Sequence, residues 1–180
     1  MIHTVVDSPL GPLTLVADDE GRLAGLYMEE QRYRPSEERF GAPLVAGPRP
    51  DEGGTEPTPA EAVLAETANQ LREYFAGTRR SVDVPQAPRG TDFQRRVWDV
   101  LARIPYGETR TYAQVADELG NPAAVRAVGS AIGRNPLCVV VPCHRVVGSG
   151  GALTGYAGGL ERKRRLLDLE HPPTGEVSAS

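Results

Sequence analysis

Two cysteines and three histidines are all that this chain of 180 residues offers toward disulfides or soft metal ions. Cys138 and Cys143 lie five apart in one segment, and His3 is the only His or Cys before them. That spacing excludes a disulfide framework and leaves a structural zinc site without ligands. Long apolar runs are missing as well: the longest, Leu137 to Val141, has five residues, far short of the roughly 20 that a membrane-spanning helix needs. No charged-then-apolar leader opens the chain; Met1 runs directly into a strand-like stretch, which points to the cytoplasm. Hydrophobic residues at 39% suffice for an ordinary core, in one domain or two small ones.

The net charge of -4 is unevenly spread. Residues 89–165 hold twelve Lys and Arg against six Asp and Glu, and the remainder hold eight against eighteen. Positive charge gathered in one block fits an anionic partner such as nucleic acid, although ordinary scatter of surface charge would also produce it.

The first third reads as antiparallel sheet. Ile2–Val6, Leu13–Ala17 and Leu23–Met28 are short β-favouring runs, separated by Ser8-Pro9-Leu10-Gly11-Pro12 and Asp18-Asp19-Glu20-Gly21, both turn compositions. Residues 41–59, rich in Pro and Gly, read as a mobile loop. Ala60 to Phe75 has the spacing of an amphipathic helix that Gly77 can close, and Val82 and Val84 could add one more strand. Pro85-Gln86-Ala87-Pro88 then marks a boundary. The expected plan is α/β (α+β): a sheet-and-helix domain over 1–84, a linker at 85–90, a helical domain over 91–170 and a tail at 171–180.

In the second half, Thr91 with Gln94 and Thr111 with Gln114 fit capping boxes. Phe93, Val97, Val100, Leu101 and Ile104 form one helix face after the first. The second box opens a short helix through Leu119, and Gly120 stops it. Asn121 can cap a further helix, with Pro122 in its first turn and Gly133 as its stop. Two short helices joined by a Gly-containing turn make a helix-turn-helix. Its second helix is lined with Ala123, Ala124, Ala127, Gly129, Ser130 and Ala131, with one long cation, Arg126, among them. Such a helix either packs tightly on a neighbour, with Arg126 in a surface ion pair, or lies against DNA with Arg126 reaching into the stack.

Leu137 to Val141 reads as a buried strand, and Pro142-Cys143-His144-Arg145-Val146 follows it. A thiolate is a far better nucleophile than a thiol, and a nearby cation or imidazole favours it. In extended chain His144 and Cys143 point opposite ways, so a turn or a bridging water is needed to connect them. A buried structural cysteine is the alternative. Cys138 reads as one, and its replacement by Ala would then leave the chemistry of Cys143 intact. Arg162-Lys163-Arg164-Arg165 reads as a solvated helix face, or a phosphate contact.

Pro142-Cys143-His144-Arg145-Val146 resembles the active-site signature of the O6-alkylguanine-DNA alkyltransferases, the methylated-DNA–protein-cysteine methyltransferases. The resemblance runs from about Thr91 to Glu170. It includes Ile104-Pro105-Tyr106-Gly107-Glu108-Thr109, Thr111-Tyr112, Arg126-Ala127-Val128-Gly129, Asn135-Pro136 and Gly155-Tyr156-Ala157-Gly158-Gly159-Leu160. The first ninety residues fit that family's variable N-terminal domain more loosely.

The resemblance implies direct, irreversible repair of O6-alkylguanine, and of O4-alkylthymine, in double-stranded DNA. Cys143 would be the alkyl acceptor, His144 the water-linked base and Glu170 its orienting carboxylate. Tyr112 would give a proton toward guanine N3 and crowd the phosphate of the flipped nucleotide, and Arg126 would fill the gap left in the duplex. Asn135 would hold the active-site turn, and backbone groups of Cys143 and Val146 would line the base pocket with Tyr156 and Ala157. Extruding the nucleotide costs a few kcal/mol, and small residues at Ala123, Ala127, Gly129 and Ser130 would allow the close approach. No cofactor, metal or membrane is implied. A monomer is expected, with cooperative loading along DNA left open. Many relatives carry Ser where this chain has Ala157, which removes a side-chain hydrogen bond to the base. A non-catalytic alkyltransferase-like protein would lack Cys143, and a transcriptional regulator would show strong sequence preference.

Overall fold

The computed structural model describes residues 1–45 and 56–172. Most of the expected loop at 41–59, and most of the tail at 171–180, therefore lie outside the described residues. β1 (Ile2–Val6), β2 (Leu13–Ala17) and β3 (Leu23–Met28) form the antiparallel meander that the turn signals predicted, with Ile2 opposite Ala17 and Leu13 opposite Met28. A short fourth strand, β4 (Ala42–Pro43), pairs parallel to β1, so the sheet is mixed, in the order β3-β2-β1-β4. Its two residues sit inside the stretch read as loop.

Helix α1 (Pro59–Phe75) packs on β1 and β2 through Val63, Leu64, Thr67, Leu71 and Tyr74. Thr58 and Glu61 form a reciprocal capping box at its start, which satisfies two otherwise orphan backbone donors. Val82 and Val84 do not make a strand. The side chain of Gln70 on α1 accepts from the Asp83 N–H at 2.6 Å and donates to its carbonyl at 3.2 Å. The backbone groups a strand partner would use are thus already taken; only Gln86 forms a bridge, to Leu23.

Both predicted capping boxes close: Thr91 with Gln94 opens α2 (Asp92–Ala102), and Thr111 with Gln114 opens α3 (Tyr112–Glu118). Residues Arg110–Thr111 form β5, which pairs parallel with β6 (Val146–Val147). A 3-10 turn, Pro122–Ala124, leads into α4 (Val125–Gly133), completing the helix-turn-helix. The side chain of Asn121 makes no capping bond, and Arg134 rather than Gly133 is the C-cap. The indole Nε1 of Trp98 on α2 donates to the Ala131 carbonyl at 2.8 Å, fixing α4 on its support.

Leu137 to Val141 is not a strand. Asn135, 2% exposed, accepts from the Leu137 N–H at 3.0 Å and donates to the Val141 carbonyl at 2.8 Å. One buried side chain thus closes the segment into a compact turn, with Val139 in the left-handed region at φ +72°. α5 (Leu160–Glu170) ends the described chain. One continuous apolar cluster includes Leu13, Leu26 and Tyr74 from the first half and Trp98, Leu101 and Leu166 from the second. Among the described residues no helix is long and apolar enough to cross a membrane.

Candidate active site

The compact turn after Asn135 feeds a 3-10 turn, Cys143–Arg145, so Cys143 follows a loop and not a strand. This turn supplies the change of direction that His144 needs. Its Nε2–H donates to Glu170 Oε1 at 2.8 Å, with both side chains essentially without solvent. That bond fixes the proton on Nε2 and leaves Nδ1, buried and without a protein partner, as a lone-pair acceptor. Burial pulls the imidazole below its ordinary value, against the raising effect of the carboxylate, so the ring is neutral near pH 7.

Glu170 accepts from more than His144. Arg145 donates from Nε at 2.8 Å and from Nη2 at 2.7 Å, and the Tyr74 hydroxyl donates at 2.6 Å. Burial alone would raise the carboxyl, but these donors outweigh it and hold Glu170 at about 2. Arg145 is itself fixed by its Nη1 bond to the Ile104 carbonyl at 2.6 Å. The network joins α1, the turn and α5, and sequence reasoning had named only His144 and Glu170 from it. Tyr74 and Arg145 could not be placed because their shared partner is distant in sequence.

Cys143 is 3% exposed and Cys138 wholly buried. The Cys138 thiol is held in the core near Gln31 Oε1 and the Asn135 carbonyl. Its proximity lowers Cys143 below the usual thiol value; burial opposes it, and the Asn135 side chain and the Lys163 charge reinforce it. Cys138 moves the opposite way, raised first by the neighbouring thiol and then by burial. It is therefore a buried core residue that also belongs to the thiol's surroundings.

Lys163 is the only lysine in the chain and has no exposed surface. Its Nζ donates to the carbonyls of Thr154 at 2.7 Å and Gly155 at 3.2 Å, and burial brings it down to about 8. The cationic run at 162–165 is therefore a solvated face only in part: Lys163 is buried and Arg162 half-buried, while Arg164 and Arg165 are exposed. Arg162 donates to the Leu10 and Glu29 carbonyls and Arg165 to that of Pro9, which ties α5 to the sheet half.

Tyr112 begins α3, and its hydroxyl donates to the same carbonyls that Lys163 holds, Thr154 at 3.2 Å and Gly155 at 3.4 Å. Burial raises its phenol above the ordinary value. Tyr112, Gly129, Ser130, Tyr156 and Ala157 line a cavity of about 690 Å³, with Arg32, Tyr33 and Leu160 also on its wall. A Cβ on Gly129 would stand 3.8 Å from the Tyr112 ring. Cys143, Val146 and Asn135 do not line this cavity. Tyr156 lines the cavity, while its hydroxyl is buried without a partner among the described residues and is pushed up first by burial and then by the two thiols. The Val146 N–H is engaged by the Cys143 carbonyl. Ala123, Arg126 and Ala127 lie exposed along the helix-turn-helix, and Arg126 has no ion-pair partner among the described residues. The cation therefore projects free from a face of small residues.

The chain matches two family descriptions in sequence. Residues 1–88 fit the ribonuclease-like domain of 6-O-methylguanine DNA methyltransferase, and residues 92–172 its DNA binding domain. The methylated-DNA–protein-cysteine methyltransferase of Mycobacterium tuberculosis is 48% identical over 171 residues, 94% of this chain and 93% of the relative. That of Methanosarcina acetivorans is 44% identical over 170 residues, 94% of this chain and 98% of the relative. The Mycobacterium tuberculosis protein OGT, solved in complex with DNA, superimposes with a TM-score of 0.78 at 44% identity, covering 94% of this chain and 92% of that one. Likeness of this extent, running through both halves, places the chain in the methylated-DNA–protein-cysteine methyltransferase family.

Proposed function

We propose that the protein repairs DNA by moving the alkyl group of O6-alkylguanine, and of O4-alkylthymine, onto Cys143 in a single turnover. The observation that carries this reading is the His144 tautomer. With Nε2–H committed to Glu170, the free Nδ1 lone pair is the base that takes the Cys143 proton through one water. The thiolate sulfur then attacks the O6-alkyl carbon, the carbon–oxygen bond breaks, and its electron pair passes to the purine. Tyr112 delivers a proton to N3 of the departing guanine, which avoids releasing an anion. A thioether remains, and no group at the site can cleave it.

The base enters the cavity beside Tyr112 and Gly129, and Tyr156 yields so that the thiol meets it. Asn135 keeps the turn that presents Cys143, and Val146 and Ala157 offer backbone groups to the base. Ala123, Ala127, Gly129 and Ser130 let α4 approach the duplex closely while Arg126 occupies the space of the extruded nucleotide. The protein works as a cytoplasmic monomer without metal or cofactor. Peptide mapping after incubation with a duplex containing O6-methylguanine tests the acceptor. The methyl group is expected on the peptide bearing Cys143, at Cys143 and not Cys138, and Cys143→Ser abolishes it. Methylation of Cys138, or of neither, would refute the assignment.

A further inference from the structure

The half of the chain outside the DNA binding domain contributes part of the cavity wall. Between β3 and the turn at 37–40, Glu30 and Tyr33 both hold left-handed backbone angles, φ +55° and +63°, a region that side chains other than Gly rarely adopt. Tyr33 nonetheless leaves 47% of its surface exposed. The Arg32 guanidinium lies 4.9 Å from the centre of its ring and that of Arg134, the C-cap of α4, 4.2 Å. A Cβ on Gly133 would touch the same ring at 3.8 Å. Neither arginine has a carboxylate partner among the described residues.

This arrangement is held in place from below. The Arg32 N–H donates to the Ala157 carbonyl at 2.8 Å, on the loop that closes the cavity. Gln31, buried beneath it, accepts from the Met28 N–H at 2.9 Å, and Arg162 holds the Glu29 carbonyl at 2.7 Å. Arg32 and the exposed Tyr33 ring thus stand on the wall of the cavity, and the second free guanidinium, that of Arg134, sits against the same ring just outside it. When a nucleotide enters, its base goes in and its phosphates stay at the mouth. Planar guanidiniums suit phosphate oxygens, and an aromatic face suits sugar or base.

Building on the alkyltransferase reading, we infer that Arg32, Tyr33 and Arg134 form a contact for the DNA strand carrying the extruded nucleotide, with both guanidiniums on its phosphodiesters and the Tyr33 ring against the sugar-base edge. The sheet half thereby becomes part of the DNA interface.

Two measurements on the full chain test this. The first is the salt dependence of binding to a duplex containing O6-methylguanine, for the unaltered protein, Arg32→Ala/Arg134→Ala and Arg32→Lys/Arg134→Lys. Each neutralised phosphate contributes roughly 0.7–0.9 to the slope of log K against log salt, so the alanine pair is expected to lose about 1.5 and the lysine pair to keep it. The second compares transfer rates on that duplex with rates on O6-methylguanine as the free base. The alanine pair and Tyr33→Ala are expected to slow the duplex reaction about tenfold more than the free-base reaction. An unchanged salt slope, or equal slowing on both substrates, would overturn the contact. Absence of transfer by the unaltered protein would remove the alkyltransferase reading, and the salt slope would still decide the strand contact.

Discussion

Glu170 is the most heavily engaged side chain of the site, accepting from His144, Arg145 and Tyr74 at once. In Glu170→Gln the amide nitrogen must face at least one of these donors, and the buried Arg145 loses its counter-charge. The expected cost is about 3–5 kcal/mol, measured by denaturant unfolding. Losing the tautomer lock on His144 should also slow transfer by on the order of a hundredfold or more, by analogy with triads whose orienting carboxylate is replaced. The pH dependence follows from the same residue. Folded Glu170 holds its proton only near pH 2, against an ordinary value of 4.5. Between those values the unfolded chain binds more protons, so its contribution is complete above about 4.5 and is lost as pH falls toward 2. The thiol answers first to Cys138 and, among charged groups, to Lys163. The Lys163 charge favours the Cys143 thiolate and fades above about pH 8. Lys163→Met should therefore shift upward the pH at which Cys143 reacts with iodoacetamide, and Cys138→Ala should shift it the same way by removing the neighbouring thiol. An unmoved profile in both would exclude these two groups as the source of the thiol's acidity.

Elements whose order is local were readable in the chain. The three strands are bounded by turn compositions, and α2 and α3 carry Thr and Gln at cap spacing, so each announces its own limits. Leu137 to Val141 reads as a strand because five apolar residues in a row carry no sign of what their backbone does. The deciding group is the Asn135 side chain outside the run, which replaces strand pairing with a closed turn. Val82 and Val84 fail for a related reason, since Gln70, twelve or more positions away, takes their neighbour's backbone groups. Lys163 was hidden because a run of four cations suggests water, while its burial depends on carbonyls presented by another loop. Cys143 and His144 could be named through the resemblance of the residues around them, whereas the burial of the Tyr156 hydroxyl could not. Asn135→Ala should leave the Leu137 N–H and Val141 carbonyl buried and unpaired. Unfolding free energy is expected to fall by roughly 2–3 kcal/mol, with slower transfer from a displaced Cys143.

Across the whole molecule the two halves share a core and a hydrogen-bond network. Leu26 of β3 donates its N–H to the Pro136 carbonyl at 2.8 Å, and α5 reaches back through Arg162 and Arg165. Tyr74 carries the sheet half to the buried Glu170 carboxylate itself. Tyr74→Phe removes one charge-assisted hydrogen bond, for which about 1.5–3 kcal/mol is expected. Its thermal unfolding should remain a single transition followed alike by near- and far-ultraviolet dichroism; two separated transitions would show the halves to be independent. Stoichiometry tests the central claim most directly, by intact-protein mass over time with a tenfold excess of duplex containing O6-methylguanine. The account predicts a gain of one methyl group per chain that then stops, with no gain in Cys143→Ser. Continued loss of O6-methylguanine from the DNA beyond one equivalent, or an unchanged protein mass, would contradict it.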